Sequence, residues 1–375
     1  MDPILRTDLV FNALTILLDA VILLAARRTA ARSGWAVAIT GAFLALMAPA
    51  TALAIGLVDL FGHRFFGVLR LFGMAVFWHL PALMLALSLG ACPRPARSIL
   101  RAGAAGVLAV YLYSYHVEPR WLEVTHHEYS HPRLAVTEPV VIAQVSDIQT
   151  DEVGPYEAGI FEKLRDLDPD LVIYTGDYLH LDPDDPDGYR ETAPALRSLL
   201  AESAALPRYG SFAVLGDTEI GRPWEVLFEG TPVKILEDRS VTLAIGGAVV
   251  NLVGLSTETA RGMARGRLME LLSPAGDPRF DLIVGHSPDF VMWLVERDRP
   301  FLALAGHTHG GQVRLPLVGP IITLSALPRK YADAFSPYGP GILSVSRGLG
   351  MERRDAPRLR FLCRPELRVI TLLPR

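Results

Sequence analysis

The hydrophobic pattern divides the chain in two. Residues 8–26, 35–58, 65–91 and 99–116 are four long apolar segments, each close to the roughly 20 residues that an α-helix needs to cross a bilayer. They predict a domain of four transmembrane helices over residues 1–116. From residue 139 onward the period shortens, and β-branched runs alternate with helical spacing. Strands are expected at 139–147, 171–174 and 211–215, with helices at 156–167 and 193–205 between them. Strands at 233–235, 241–245 and 249–253 follow, the last two joined by the hairpin turn Gly246-Gly247. A helix over 261–272 and strands at 281–284, 301–304, 342–345 and 367–372 complete the pattern. Helices that first alternate with strands and then give way to hairpins predict an α/β (α+β) four-layer sandwich, two mixed β-sheets flanked by helices, over residues 139–375. Residues 117–138 are polar, bear prolines and lack sustained periodicity, so a linker is expected there, lying on the membrane surface through Trp121. The acidic stretch 183–188, with two prolines, reads as a surface loop, and no internal repeat is evident.

Composition sharpens the membrane reading. Half of the 375 residues are hydrophobic, and the excess lies in the first third of the chain. The first segment lacks a small-residue cleavage site and three more follow it, so retention is expected rather than removal as a secretion signal. Arg27, Arg28 and Arg32 mark the first connection and Arg94, Arg97 and Arg101 the third, against Arg6 at the N-terminus and Arg64 in the second. Connections one and three are therefore expected in the cytoplasm, and four spans place the catalytic part outside it. Asp19, Arg70 and His79 fall inside the spans, where ionisable groups either pair or mark a functional path. Cys92 and Cys363 fall on opposite sides of the expected membrane, which excludes a disulfide framework and a cysteine metal cluster. A net charge of −4 without a basic, aromatic-interleaved stripe gives no reason to expect nucleic acid. His126, His127 and His131 are too loosely spaced in a polar stretch to read as a metal site.

Chemistry enters where apolar runs end. Ser146-Asp147-Ile148-Gln149, Thr175-Gly176-Asp177, Leu215-Gly216-Asp217-Thr218-Glu219, Val284-Gly285-His286 and Gly306-His307-Thr308-His309 each close an apolar run with a carboxylate or an imidazole. A dinuclear metal site is assembled on a sheet in this way: strands hold the ligands rigidly, and the loops beyond them give substrate room.

In that order the five blocks resemble the calcineurin-like metallophosphoesterases, whose pattern runs D-x-H, G-D, G-N-H-[DE], a lone H and G-H-x-H. The stretches Gly310-Gly311-Gln312-Val313-Arg314-Leu315-Pro316 and Ser346-Arg347-Gly348-Leu349-Gly350 are similar to the membrane-associated branch of that family. The resemblance implies that Asp147 and His309 bind a first metal, that Asp177 bridges, and that Asp217, His286 and His307 hold a second. It implies two divalent ions about 3.5–4 Å apart that activate a water and clamp the phosphate. Manganese, iron and zinc suit such ligands.

Three positions depart from the pattern. Gln149 stands where the family has histidine; an amide oxygen there hardens the first site and favours manganese. His180, three residues past Asp177, occupies the place where purple acid phosphatases carry a metal-binding tyrosine, and it is a candidate ligand or proton donor. Asp217 replaces asparagine; its extra charge tightens metal binding, weakens Lewis acidity and predicts an alkaline optimum. Thr218 replaces the histidine that contacts phosphate and protonates the leaving group, a loss that typically costs about 10²- to 10⁴-fold. Thr218 and His180 are thus the candidate catalytic positions. The reading that follows is a membrane-anchored phosphohydrolase acting on a phosphate ester or phosphoanhydride, lipid-linked substrates included. Its alternatives are a catalytically weakened metal-binding sensor or scaffold, and a transporter with a regulatory domain.

Overall fold

The computed structural model describes residues 3–61, 65–89, 92–182, 185–204 and 207–374. It forms two units, Met1–Val117 with Arg354–Arg358, and Glu118–Arg353 with Leu359–Arg375.

In the first unit, α1 (Pro3–Ser33) and α2 (Trp35–Leu60) are parted only by Gly34, whose φ of 86° stops a helix that the apolar pattern would otherwise continue. α3 (Phe65–Met74) and α4 (Leu80–Ser88) join through a π turn over Ala75–His79 into one long helix. α5 (Arg94–Leu112) follows. Among the described residues three helices, Ile4–Ser33, Trp35–Leu60 and Phe65–Ser88, are long and apolar enough to cross a membrane, not the four expected. The fourth segment forms a helix, but Arg94, Arg97 and Arg101 occupy its first turns. Arg27, Arg28 and Arg32, expected in a connection, are the last turns of α1, and Arg64 lies outside the described residues. Two of the intramembrane charges pair: His79 Nδ1 meets Asp19 Oδ2 at 2.7 Å, while Arg70 meets Asp8 at 3.1 Å.

The second unit is built from two six-stranded mixed sheets. The strands in chain order are β1 (Glu123–Tyr129), β2 (Val140–Val145), β3 (Leu171–Tyr174), β4 (Ser211–Ala213), β5 (Lys234–Ile235), β6 (Arg239–Ile245), β7 (Ala248–Gly254), β8 (Phe280–Val284), β9 (Phe301–Ala305), β10 (Arg314–Leu315), β11 (Gly319–Pro320), β12 (Phe335–Tyr338), β13 (Gly341–Val345) and β14 (Glu366–Leu372). One sheet has the order β1-β14-β2-β3-β4-β5, the other β12-β13-β9-β8-β7-β6, and β10 with β11 makes a separate hairpin. The helices are α6 (Pro155–Asp166), α7 (Pro186–Ala204), α8 (Glu225–Phe228), α9 (Thr257–Ala260) and α10 (Arg265–Leu271).

Alternation along each strand sorts residues to two faces. Ile142, Ile173 and Phe212 turn inward against Leu252, Leu282 and Leu304 of the other sheet. Ala143, Val172 and Tyr174 turn outward against Ile160, Phe161 and Leu196 of α6 and α7, and Ile283 and Ala303 do the same against Leu268 of α10. Each fully buried large apolar side chain such as Phe161 contributes roughly 1.5–3 kcal/mol, so these interfaces carry the fold.

The expected linker contains structure. Glu123–Tyr129 pairs in parallel with β14, placing His126 and His127 on a strand, where the His127 ring stacks on Phe335 at 4.4 Å. The helix expected over 261–272 is broken between Ala260 and Arg265, and β12 and the β10–β11 hairpin were not legible. Of the expected acidic loop, 183–184 lie outside the described residues and Pro186 already begins α7. Cys92 and Cys363 are both free and buried.

Candidate metal centre

The parallel order of β2, β3 and β4 in one sheet and of β7, β8 and β9 in the other makes their C-terminal ends point the same way. Asp147 and Gln149 follow β2, Asp177 follows β3, Asp217 follows β4, His286 follows β8, and His307 and His309 follow β9. The sequence therefore delivers seven ligand-type side chains to one place.

The turns that carry them are strained. Asp147, Gln149, Asp177, His307 and His309 all have positive φ, at 48°, 37°, 57°, 69° and 49°. Non-glycine residues held there cost on the order of 1–3 kcal/mol each, and such strain clusters at working sites. Two glycines allow the close approach: a Cβ on Gly306 would lie 2.0 Å from Ser146 Oγ, and one on Gly216 would lie 2.2 Å from Asp177 Oδ1.

Within this frame Asp217, His286 and His307 form one group of possible ligands, and Asp147, Asp177 and His286 another. His286 Nε2 is 3.3 Å from Asp177, His307 Nδ1 is 3.2 Å from Asp217, and His309 Nε2 is 3.5 Å from Asp147. Backing groups fix the rings: His286 Nδ1 lies 2.8 Å from the Thr175 carbonyl, and His307 Nε2 lies 2.9 Å from the Leu324 carbonyl. Gln149 Nε2 donates to Asp177 Oδ2 at 2.7 Å, leaving its carbonyl oxygen free.

Charge follows from the grouping. Burial works against ionised Asp177 and Asp147, yet His286 and His309 respectively outweigh it and hold both well below the usual carboxylate range. Burial likewise opposes Asp217, which the His307 hydrogen bond and the His286 charge keep at about 2. Desolvation disfavours protonated His286 and His307, but Asp177 for the first and Asp217 for the second raise both above the usual imidazole value.

A cation fits. Among the described residues, Gln149 Oε1 and Asp217 Oδ1 are buried without a hydrogen-bond partner, and His286 Nε2 and His309 Nε2 reach only the carboxylates of Asp177 and Asp147 at 3.3 and 3.5 Å. Buried polar atoms left this way are costly, and together with the two ligand groups they match the oxygen and nitrogen donors of a divalent-ion site.

Thr218 and His180 stand differently. The Thr218 N–H donates to Asp177 Oδ1 at 2.9 Å and its hydroxyl to Glu219 Oε1 at 2.8 Å, so both its donors are engaged. His180 Nδ1 lies 3.6 Å from Glu352 Oε2 and 3.4 Å from the Arg353 N–H, while Arg353 Nε donates to the Gln149 carbonyl at 2.9 Å. His180 thus sits on the Gln149 side of the centre.

Three further residues were not assigned from sequence. Glu219 accepts from the backbone N–H of Asp177, Tyr178 and Gly216 at 3.0, 2.9 and 2.8 Å, tying β3 to β4; burial, then Asp177, pushes its carboxyl up to about 7. Its place in the Gly-Asp-Thr-Glu block was a usable signal. Glu352, raised by burial, and Arg261, which reaches Asp217 Oδ2 at 2.6 Å, lie in stretches without a spacing pattern.

Comparison with known proteins agrees with this geometry. Residues 140–311 match the family described as Calcineurin-like phosphoesterase. A Bacillus subtilis protein named uncharacterized metallophosphoesterase YkuE is 29% identical over 293 residues, 73% of this chain and 93% of its own length. Phosphodiesterase YaeI of Escherichia coli is 29% identical over 298 residues, 74% of this chain and 98% of its own length.

Proposed function

We propose that this chain, whose residues 140–311 match the calcineurin-like phosphoesterases, is a membrane-anchored, metal-dependent phosphohydrolase that cleaves a phosphodiester or phosphoanhydride, with lipid-linked substrates as its natural class. The observation that carries the reading is the meeting at the strand ends of two groups of possible ligands, Asp217 with His286 and His307, and Asp147 with Asp177 and His286.

In this reading Asp147, His309 and the Gln149 side-chain oxygen Oε1 would hold one divalent ion, Asp217, His286 and His307 would hold a second, and Asp177 would serve both. Bound divalent ions supply positive charge for phosphate oxygens and acidify a water molecule. The oxygen-rich first site favours manganese. Thr218 positions Asp177 through its N–H rather than donating a proton, and His180 with Glu352 completes the Gln149 side.

Two features support work at a lipid surface. Three helices are long and apolar enough to cross a membrane. Leu315, Leu317, Val318 and Ile321 are exposed on one loop, and that loop ends at Leu324, whose carbonyl holds His307. Exposed apolar clusters of this kind mark contact with lipid or another apolar surface.

For orientation, α5 returns antiparallel along the third span: the Phe77 ring meets Tyr111 at 5.8 Å and Tyr115 at 5.7 Å, and Gly103 faces Met84. A chain that retraces its path leaves on the side where it entered. With the arginines at both loop ends in the cytoplasm, α5, though not apolar enough to count among the three candidate spans, recrosses as a fourth helix packed on the third, and the catalytic unit lies outside. A cysteine added after residue 374 and labelled in intact cells by an impermeant reagent tests that placement; protection until the cells are opened would refute it.

The function itself is tested with the full-length chain in detergent. Hydrolysis of bis-p-nitrophenyl phosphate that disappears with chelator and returns with manganese is expected. Two bound metals with no turnover of phosphodiester or pyrophosphate substrates would establish instead the metal-binding sensor, which the engaged donors of Thr218 favour.

A further inference from the structure

Arg261 brings a cation to the centre that the family pattern does not foresee. Its Nη2 is 2.6 Å from Asp217 Oδ2, an oxygen also 3.2 Å from His307 Nδ1, while Asp217 Oδ1 has no hydrogen-bond partner. Asp217 Oδ2 is thereby shared between the guanidinium and His307, while Oδ1 is left without a hydrogen-bond partner among the described residues. The Arg261 side chain is 43% exposed, so its guanidinium is open to solvent while it touches a residue of the ligand cluster.

An exposed ion pair alone carries little weight. Here the loop that presents it is fixed at both ends. Asp238 accepts from the Ser256 N–H at 2.9 Å, the Ser256 hydroxyl at 2.9 Å and the Thr259 hydroxyl at 3.0 Å. On the other side of Arg261, the Gly262 carbonyl accepts from Trp293 Nε1 at 2.8 Å. These contacts hold the short α9 turn and set Arg261, the residue that follows it, at a defined point beside Asp217. A side chain placed by packing and hydrogen bonds in this way is pre-organised for a ligand.

The neighbouring Thr218 has its N–H on Asp177 and its hydroxyl on Glu219, so it offers the substrate neither a proton nor a free donor. A guanidinium has five N–H donors in a planar fork that matches phosphate oxygens, and it does not give up its proton. We infer that Arg261 is the phosphate-recognition residue of this centre, gripping the phosphoryl oxygens with its remaining N–H groups and replacing, by charge rather than by proton transfer, the histidine that the family pattern places at 218. The inference rests on the phosphohydrolase reading and narrows its substrate. Water oxygen bonds to phosphorus, the bond to the departing oxygen breaks, and its electron pair leaves with that oxygen; the proton of the water goes to solvent. With neither Thr218 nor Arg261 giving it a proton, the departing group leaves as an anion, which favours phosphoanhydrides and aryl esters over simple alkyl esters.

The test uses the full-length chain in detergent, with manganese and inorganic phosphate as the two titrants in calorimetry. In Arg261→Gln, phosphate binding to the manganese-loaded protein is expected to weaken roughly 10- to 100-fold, the usual effect of removing a charge-assisted hydrogen bond. Manganese binding is expected to hold or tighten, because Asp217 loses a competing cation. Arg261→Lys keeps the charge without the fork and should recover part of the phosphate affinity. Equal phosphate binding by parent and Arg261→Gln overturns the inference. So does a parallel loss of manganese, which would make Arg261 a positioning residue for Asp217. A parent chain that binds neither titrant overturns the phosphohydrolase reading first and this inference with it.

Discussion

Asp177 has the most demanding position in the centre. It carries a positive φ of 57°, takes hydrogen bonds from Thr218 and Gln149, and faces His286 at 3.3 Å. Asp177→Asn removes the charge that would lie between two cations, and metal affinity is expected to fall by more than the roughly 10- to 100-fold that loss of an outer-shell partner causes; calorimetry with manganese checks this. Glu219 carries structure rather than chemistry. Glu219→Gln turns an acceptor of three backbone N–H groups and a hydroxyl into a group that opposes some of them with its own N–H. The expected cost is roughly 2–4 kcal/mol, read as a lowered denaturant midpoint. The histidines set the pH behaviour. Asp177 and Asp217 raise the pKa values of His286 and His307 in the metal-free protein, so a metal competes with protons for these rings. Apparent manganese affinity should therefore climb as the pH rises, with proton release visible as a buffer-dependent heat. The stability these pairs give the chelated protein has the opposite sense. It is full below the unfolded imidazole value near about 6.5 and is lost as the pH rises through the raised folded values, so the melting temperature in chelator should drop on the alkaline side.

At the scale of elements, the centre depends on parallel strands ending together. Gly216→Ala tests this, because the new Cβ would meet Asp177 Oδ1 at 2.2 Å. The variant is expected to fold and to lose metal, shown by elemental analysis beside an intact circular dichroism spectrum. What could be read in advance follows the same division. Leu171–Tyr174, Phe280–Val284 and Phe301–Ala305 are buried throughout, and their apolar runs, broken only by Asp281 in the second, announced them. The strand Glu123–Tyr129 was hidden, because an edge strand half exposed along its length reads Glu-Val-Thr-His-His-Glu-Tyr, which is polar in composition. Phe335–Tyr338 contains Pro337 and sits at the other sheet's edge, where proline is tolerated but strand signals are weak. The seven ligand-type residues were found because motifs store chemistry locally. Arg261, 44 residues after Asp217 in the chain, meets it only through folding, and no spacing rule reaches that far.

The whole molecule joins a helical unit, with three helices fit to cross a membrane, to a catalytic unit with an apolar loop beside its centre. The count of spans was misjudged because an apolar average over 99–116 conceals Arg101, and the helix that forms there begins at Arg94. If the exposed loop engages lipid, Leu317→Asp with Val318→Asp should leave hydrolysis of bis-p-nitrophenyl phosphate intact and lower hydrolysis of a lipid-linked pyrophosphate presented in vesicles. Equal rates on vesicles would assign the loop another partner. The central claim is that donors from five separated segments together hold a catalytic pair of cations, and the most direct test is metal content measured together with turnover. The purified full-length protein is predicted to carry two divalent ions per chain and to hydrolyse a phosphodiester in proportion to that content, with both lost in Asp177→Asn. A parent protein that turns over phosphodiester at full rate after complete metal removal would contradict the account.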